Sequence, residues 1–103
     1  MPSCANGKFM NGVVRKQWGW DGFTVSDCGA IGDIQNPHKY TSTPEDTVAA
    51  SLLGGTDLEC DNMYTNSQHG LKAALAMNKI TEKDIDTAIS RTLTHFIALG
   101  ELV

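Results

Sequence analysis

The chain has 103 residues, and its 8 Lys and Arg against 12 Asp and Glu give a formal net charge of −4 at pH 7. This length allows one modest domain at most, and a pI near 5.1 excludes a protein built to bind nucleic acid, because such proteins need clustered positive charge. A composition of 41% hydrophobic and 19% charged residues excludes a globally disordered chain.

The first half of the chain predicts two short elements before a long loop. A short helix is expected to end within residues 11–18, where apolar residues recur at near-helical spacing. The turn pair Asp21-Gly22 then leads into a short buried strand over residues 23–27, which is rich in aromatic and β-branched residues and ends at Asp27. Residues 28–42 predict a long loop with one helical turn at Ala30–Ile34. Loops of this length are usually functional.

The second half predicts three helices and one strand. One helix has Thr43 as its N-cap, carries the apolar residues Val48, Ala49, Leu52 and Leu53, and stops at Gly54-Gly55. A strand at Thr56–Cys60 and a helix at about Ser67–Asn78 follow. The last helix is capped by Thr81, runs up to Gly100, and has an apolar face of Ile85, Ala88, Ile89, Leu93, Phe96 and Ile97.

This order of elements is a βαβα pattern, which predicts an α/β fold with parallel strands joined by a right-handed crossover. Two strands alone would leave sheet edges unpaired and one face uncovered. The sequence therefore predicts a piece of a larger sheet. No apolar run reaches the roughly 18 residues of a membrane-spanning helix, and MPSCANGKFM lacks the features of a signal peptide. We therefore expect no membrane partner and no export signal in this chain.

One segment resembles a known family. Gly7–Ile34, which contains NGVVRKQWGWDGFTVSDCGAIGDI, is similar to the nucleophile motif of glycoside hydrolase family 3, where a helix ends in K/R-x-x-W/F-G-F/W-D-G and the next strand ends in S-D. The resemblance continues through HKYTSTPED, GGTDL and ITEKDIDTAISRTL and covers essentially the whole chain. Cys28, directly after the motif's Asp, and the PSCAN stretch at Pro2–Asn6 resemble the β-xylosidase branch.

The resemblance implies a retaining exo-glycosidase acting on terminal β-linked xylose or glucose of oligosaccharides, without a cofactor. It implies a (β/α)₈ TIM barrel followed by a second α/β domain, with residues 1–103 as the C-terminal part of the barrel: its last two βα units plus the exit helix. We therefore expect a fragment, with Met1 as a chance or secondary start. Many relatives are secreted or periplasmic, but no compartment follows from this chain.

Residue by residue, the resemblance makes Asp27 the nucleophile. A retaining mechanism needs two carboxyl groups about 5 to 5.5 Å apart, and the resemblance implies that the acid/base comes from the later domain. Glu59 is expected to be a pocket-wall or solvated residue and not the acid. Tyr40 is a candidate to stack on or hydrogen-bond a sugar, the alternative being that it packs the loop.

The three cysteines are Cys4, Cys28 and Cys60, and no C-x-x-C spacing suggests a metal or redox site. Cys28 and Cys60 end the two predicted strands, and neighbouring strands lie about 4.8 Å apart, within the Cα separation of a disulfide. They form either a disulfide at the pocket mouth or two buried thiols, while Cys4 stays free. We expect Cys28 to narrow the pocket in favour of a pentose.

Two hypotheses follow. In the first, the chain is a fragment of a family 3 β-xylosidase or β-glucosidase that carries the nucleophile. In the second, it is a non-catalytic truncated α/β module that associates with itself or with the missing barrel parts, which would cover its strand edges.

Overall fold

The computed structural model describes residues 1–100; residues 101–103, the end of the predicted domain range, lie outside the described residues. A 3-10 turn at Ser3–Ala5 and a π-helix at Lys8–Gln17 are followed by four α-helices: α1 at Ala30–Gln35, α2 at Pro44–Leu53, α3 at Leu71–Ala76 and α4 at Glu82–Ala98. None of the helices within this part of the chain has the length and apolar content required to cross a bilayer.

The predicted helix over residues 11–18 is present, but it begins earlier and has π geometry. The Trp18 N–H donates to the Val13 carbonyl at 2.8 Å, five residues back. Gly19 follows with φ of 72°, a left-handed conformation that favours glycine and turns the chain out of the helix.

The prediction of two strands is wrong for the described residues. The segments 23–27 and Thr56–Cys60 share only an isolated parallel bridge between Val25 and Leu58. The ladder does not extend because side chains take the next backbone donors. The Thr24 N–H donates to the Asp57 carboxylate at 3.1 Å, and the Cys60 N–H donates to Ser26 Oγ at 3.2 Å.

Helix α2 begins as predicted. Thr43 Oγ1 accepts a hydrogen bond from the Asp46 N–H at 3.1 Å, and proline takes the first helical position. Leu53, predicted to belong to the apolar face, is 49% exposed, because Thr47 and Ser51 occupy the rest of the buried face and Leu53 lies at the helix end.

Helix α3 is shorter than the predicted Ser67–Asn78. Asn66 Oδ1 accepts from the backbone N–H groups of Gln68 and His69 at 3.0 and 2.9 Å, which holds these residues in a turn. The helix therefore starts only at Leu71. Asn78 has φ of 59° and lies beyond the helix end.

Helix α4 has the predicted cap, since Thr81 and Asp84 form a capping box. Of its predicted apolar face, Ala88 is buried and Ile85 packs against the core, whereas Ile89, Leu93 and Ile97 are exposed. The hydrophobic core lies mainly between α1, α2 and α3 and contains Ala5, Ile31, Ile34, Val48, Ala49, Leu52, Tyr64, Ala74, Ile80 and Ala88.

Candidate functional site

An open cavity of about 460 Å³ lies where the segment 23–27 ends. The N-terminal turn, this segment and α1 enclose it, and its lining residues are Pro2, Ser3, Cys4, Met10, Thr24, Val25, Ser26, Asp27, Ala30, Asp33, His38 and Thr56. The cavity is therefore built from the two stretches that carry the predicted motifs, PSCAN and the S-D ending.

Asp27 has an exposed side chain at the rim of this cavity. Its backbone carbonyl accepts from the Ala30 N–H at 3.0 Å, so the chain turns directly from Asp27 into α1. Gly29 permits this turn by adopting φ of 82°. The sharp turn leaves Asp27 exposed at the end of the bridged segment, among the residues that line the cavity.

Asp33, which sequence reasoning did not select as a site residue, lines the same cavity, and so does His38 from the predicted long loop. Burial raises the pKa of the Cys4 thiol, a hydrogen bond with Thr56 lowers it, and the negative charges of Asp27 and Asp33 raise it further. A sequence signal for Asp33 was present, because this residue belongs to the helical turn that is predicted directly after the nucleophile motif.

Cys28 and Cys60 are joined by a disulfide, with their Cα atoms 4.5 Å apart, and Cys4 is a free thiol. The disulfide directly follows Asp27 in one segment and ends the other segment. It therefore ties the start of the turn into α1 to the end of the neighbouring chain.

Glu59 and Tyr40 do not line the cavity that contains Asp27. One Glu59 carboxylate oxygen accepts from the Tyr64 N–H, the other is buried without a partner, and burial raises the pKa of this carboxyl. Tyr40 is 48% exposed in its loop. Their contact with a sugar remains a prediction.

Sequence reasoning also missed a charge cluster beside the site. The Asp57 side chain is only 2% exposed and forms salt bridges with Arg15 at 2.9 Å and Arg91 at 3.1 Å. The signal was present, because an acidic residue in the middle of a predicted strand needs charged or hydrogen-bonding partners if the strand is buried. Within residues 1–100, no three His, Cys, Asp or Glu side chains come together as a metal site.

Comparison with known proteins gives a family match over most of the chain. Residues 1–95 match the model of the glycosyl hydrolase family 3 N terminal domain. The chain is 40% identical to beta-D-xylosidase 3 of Arabidopsis thaliana over 96% of its length and 12% of that relative. It is 35% identical to a probable exo-1,4-beta-xylosidase of Neosartorya fischeri over 97% of its length and 13% of that relative.

Solved structures agree with this match. A family 3 exo-beta-xylosidase in complex with a xylobiose aziridine activity-based probe superposes with a TM-score of 0.86 at 31% identity, over 97% of this chain and 13% of the other. A beta-glucosidase of Listeria innocua in complex with isofagomine superposes with a TM-score of 0.87 at 30% identity, over 97% of this chain and 14% of the other. The chain thus spans about an eighth of the length of its curated relatives, 12–13%.

Proposed function

Because the chain belongs to glycosyl hydrolase family 3, we propose that it carries the nucleophile of a retaining β-glycosidase, and that the nucleophile is Asp27. The observation that carries this proposal is the exposed Asp27 carboxylate at the cavity where the bridged segment ends. Barrel enzymes place catalytic side chains where strands end and βα loops begin. The family's TIM-barrel-like fold supports the same position, with this chain as the last two βα units and the exit helix.

In the proposed reaction, a carboxylate oxygen of Asp27 attacks the anomeric carbon of a terminal β-linked sugar. The bond to the leaving oxygen breaks, that oxygen takes a proton from a second carboxyl group, and water then cleaves the glycosyl ester on Asp27. We propose that the proton donor comes from a part of the enzyme other than the described residues. Asp33 lines the same cavity, but we do not propose it as the proton donor, because it lies on the helix that directly follows the nucleophile and the family resemblance assigns the acid/base to a later domain.

The proposed substrates are oligosaccharides with a terminal non-reducing xylose or glucose. The names of the relatives, β-xylosidases and a β-glucosidase, support these two sugars. The Cys28–Cys60 disulfide directly follows Asp27 but lies outside the residues that line the cavity. We propose that it limits the space beside a bound sugar in favour of xylose, because a pentose lacks the hydroxymethyl arm. Tyr40, half-exposed in its loop, stays a proposed contact to the sugar. Glu59 is proposed only as part of the pocket wall, because one of its oxygens accepts from the Tyr64 N–H and the other is buried.

The test uses a 2-deoxy-2-fluoro-β-xyloside with a dinitrophenolate leaving group, which departs without a proton donor. We expect a covalent adduct on Asp27, identified by peptide mass spectrometry, and none in Asp27→Asn. Asp33→Asn is the matched control from the same cavity and should still be labelled. No adduct, or an adduct elsewhere in the chain, would contradict the proposal.

An aryl β-xyloside with a poor leaving group tests the second half of the proposal. Because that leaving group needs protonation, the 103-residue chain should hydrolyse it little or not at all. Robust turnover that disappears in Asp27→Asn would support the nucleophile and refute the external proton donor.

The second candidate function, association, is favoured by a different observation. Val25 and Leu58 in the bridged segments and Leu93 on α4 are large apolar side chains that remain exposed. We propose that the chain associates through these surfaces with a second copy or with further barrel units. Light scattering at micromolar concentration should detect a dimer or larger species, and a strict monomer at all concentrations would argue against it.

A further inference from the structure

Asp57 is a buried acid with charged partners from two different helices. Its Oδ2 lies 2.9 Å from Nη2 of Arg15 on the π-helix, and its Oδ1 lies 3.1 Å from Nη1 of Arg91 on α4. Each oxygen therefore has its own guanidinium. A buried ion pair often adds little to overall stability, because the cost of removing the charges from water offsets the attraction between them.

The same carboxylate also holds the segment that leads to Asp27. The Thr24 N–H donates to Asp57 Oδ2 at 3.1 Å, and the Asp57 N–H donates back to the Thr24 carbonyl at 3.0 Å. Thr24 lies three residues before Asp27 in the sequence. An apolar side chain at position 57 would fill the space but accept no hydrogen bond from Thr24.

Arg15 forms two further hydrogen bonds with residues in this segment and just before it. Its Nη1 donates to the Gly22 carbonyl at 2.7 Å and its Nη2 to Thr24 Oγ1 at 3.4 Å. The guanidinium also stacks 5.0 Å from the centre of the Trp20 ring, which restricts its orientation. Asp57 does not line the cavity that contains Asp27, so it has no direct contact with a sugar bound there.

We infer that Asp57, clamped between Arg15 and Arg91, is a positioning residue that fixes the position and direction of the segment that ends in Asp27. This inference rests on the proposed role of Asp27 as the nucleophile. The backbone pairing of the segment is limited to the bridge of Val25 and Leu58 and the hydrogen bond from the Asp57 N–H to the Thr24 carbonyl, so the side-chain clamp supplies the placement that a longer ladder would otherwise give. The Cys28–Cys60 disulfide fixes the opposite end of the segment.

The first test is amide hydrogen exchange measured by NMR on the full chain. In Asp57→Asn, the Thr24 amide should exchange about tenfold faster or more, because its charged acceptor is replaced by a neutral one. The Ser26 amide, which donates to the Leu58 carbonyl, should also exchange faster, because the segment is held less firmly. The amides of α2 should keep their protection, which shows that the fold persists. Asp46→Asn is the matched control, since it removes an ion pair with Lys79 at 2.6 Å and does not touch the segment. Unchanged exchange at Thr24 and Ser26 would refute the clamp.

The second test measures the rate of labelling by the fluoroxyloside described above. Asp57→Asn should lower the maximal labelling rate about 10- to 100-fold, the cost of a displaced nucleophile, while the half-saturating concentration changes less than about twofold. A residue that only stabilised the fold would change neither quantity while α2 stays protected. A wild-type labelling rate in Asp57→Asn would refute the positioning role alone, whereas an unlabelled wild-type chain would refute the role of Asp27.

A second variant keeps the test decisive if Asp57→Asn fails to fold, which loss of α2 protection would reveal. Arg91→Lys keeps the positive charge but replaces the fixed guanidinium geometry at Asp57. It should raise Thr24 exchange and lower the labelling rate in the same direction, by a smaller factor. Wild-type values for both quantities would overturn the inference.

Discussion

Tyr64 shows how one buried hydroxyl connects separate parts of the chain. Its ring is 8% exposed, and its hydroxyl lies 3.0 Å from Ser51 Oγ and donates to the Thr56 carbonyl at 2.8 Å. Burial raises the pKa of the phenol well above its usual range, so the hydroxyl stays protonated and available as a donor. The α2 helix and the segment that precedes Cys60 are therefore joined through one polar atom.

We predict that Tyr64→Phe lowers the free energy of unfolding by about 1 to 2 kcal/mol, because the Thr56 carbonyl loses its hydrogen bond inside the protein. Urea denaturation followed by circular dichroism measures this change. Tyr40→Phe is the matched control, and its exposed ring should leave stability within about 0.5 kcal/mol of wild type. Equal effects of the two substitutions would contradict the account.

The Glu45–His69 pair predicts a pH dependence. His69 Nδ1 lies 2.7 Å from Glu45 Oε2, and this hydrogen bond lowers the pKa of Glu45 below its ordinary value of 4.5. Since the folded state holds the carboxylate more strongly than the unfolded state, the stabilisation is present above pH 4.5 and is lost as the pH falls through the folded-state pKa. Glu45→Gln should therefore be less stable than wild type near neutral pH.

Thermal unfolding of both proteins at a series of pH values measures this difference. The gap in melting temperature should narrow as the pH falls below 4.5, because the wild-type carboxyl becomes protonated and resembles the amide. Asp46 also has a lowered pKa, through Lys79, but it is present in both proteins and cancels in the comparison. A gap that stays constant down to strong acid would contradict the prediction.

At the scale of elements, the caps of the helices are the strongest local signals. Thr81→Ala should cost about 1 kcal/mol, because it removes the acceptor for the Asp84 N–H and leaves one side of the capping box empty. The urea midpoint of the full chain measures the effect. Thr94→Ala, an exposed position inside the same helix, should be nearly neutral, and a similar loss there would show that the cap is not the cause.

Those same caps explain which elements could be predicted from the sequence. Thr43-Pro44 and Thr81 marked the starts of α2 and α4 because capping is decided by a few neighbouring residues. The strand predictions failed because Asp57 and Ser26 take backbone donors with their side chains, and this depends on contacts distant in sequence. Helix α3 was predicted too long because Asn66 accepts hydrogen bonds from two backbone amides and holds them in a turn, which the local sequence indicates only weakly.

The residues of the candidate site also differ in whether local sequence or distant contacts determine them. Asp27 could be predicted from a local motif whose residues stand next to one another in the chain. The Asp57 clamp could not, since its partners Arg15 and Arg91 are 42 and 34 residues away. His38 lies in the long loop that the sequence predicted over residues 28–42, and it lines the cavity.

At the scale of the whole molecule, few connections hold the two bridged segments together. They share one backbone bridge, the Asp57 clamp and the hydrogen bond from the Cys60 N–H to Ser26 Oγ, and the disulfide joins Cys28 to Cys60 across a sequence separation of 32 residues. A crosslink of this span restricts the unfolded chain more than the folded one. Its loss should therefore affect the stability of the whole chain and not only the loop next to Asp27.

We predict that reduction of this disulfide lowers the free energy of unfolding by about 3 to 4 kcal/mol, as expected from loop-closure entropy for a loop of this size. Urea titrations with and without dithiothreitol measure the change, and thiol counting should find one free thiol before reduction and three after, because the chain has 3 cysteines. The double variant Cys28→Ser/Cys60→Ser is the control. Dithiothreitol should leave its midpoint unchanged, at a value close to that of the reduced wild type. Three free thiols in the untreated protein, or equal midpoints for its oxidised and reduced forms, would show that the crosslink does not carry this stability.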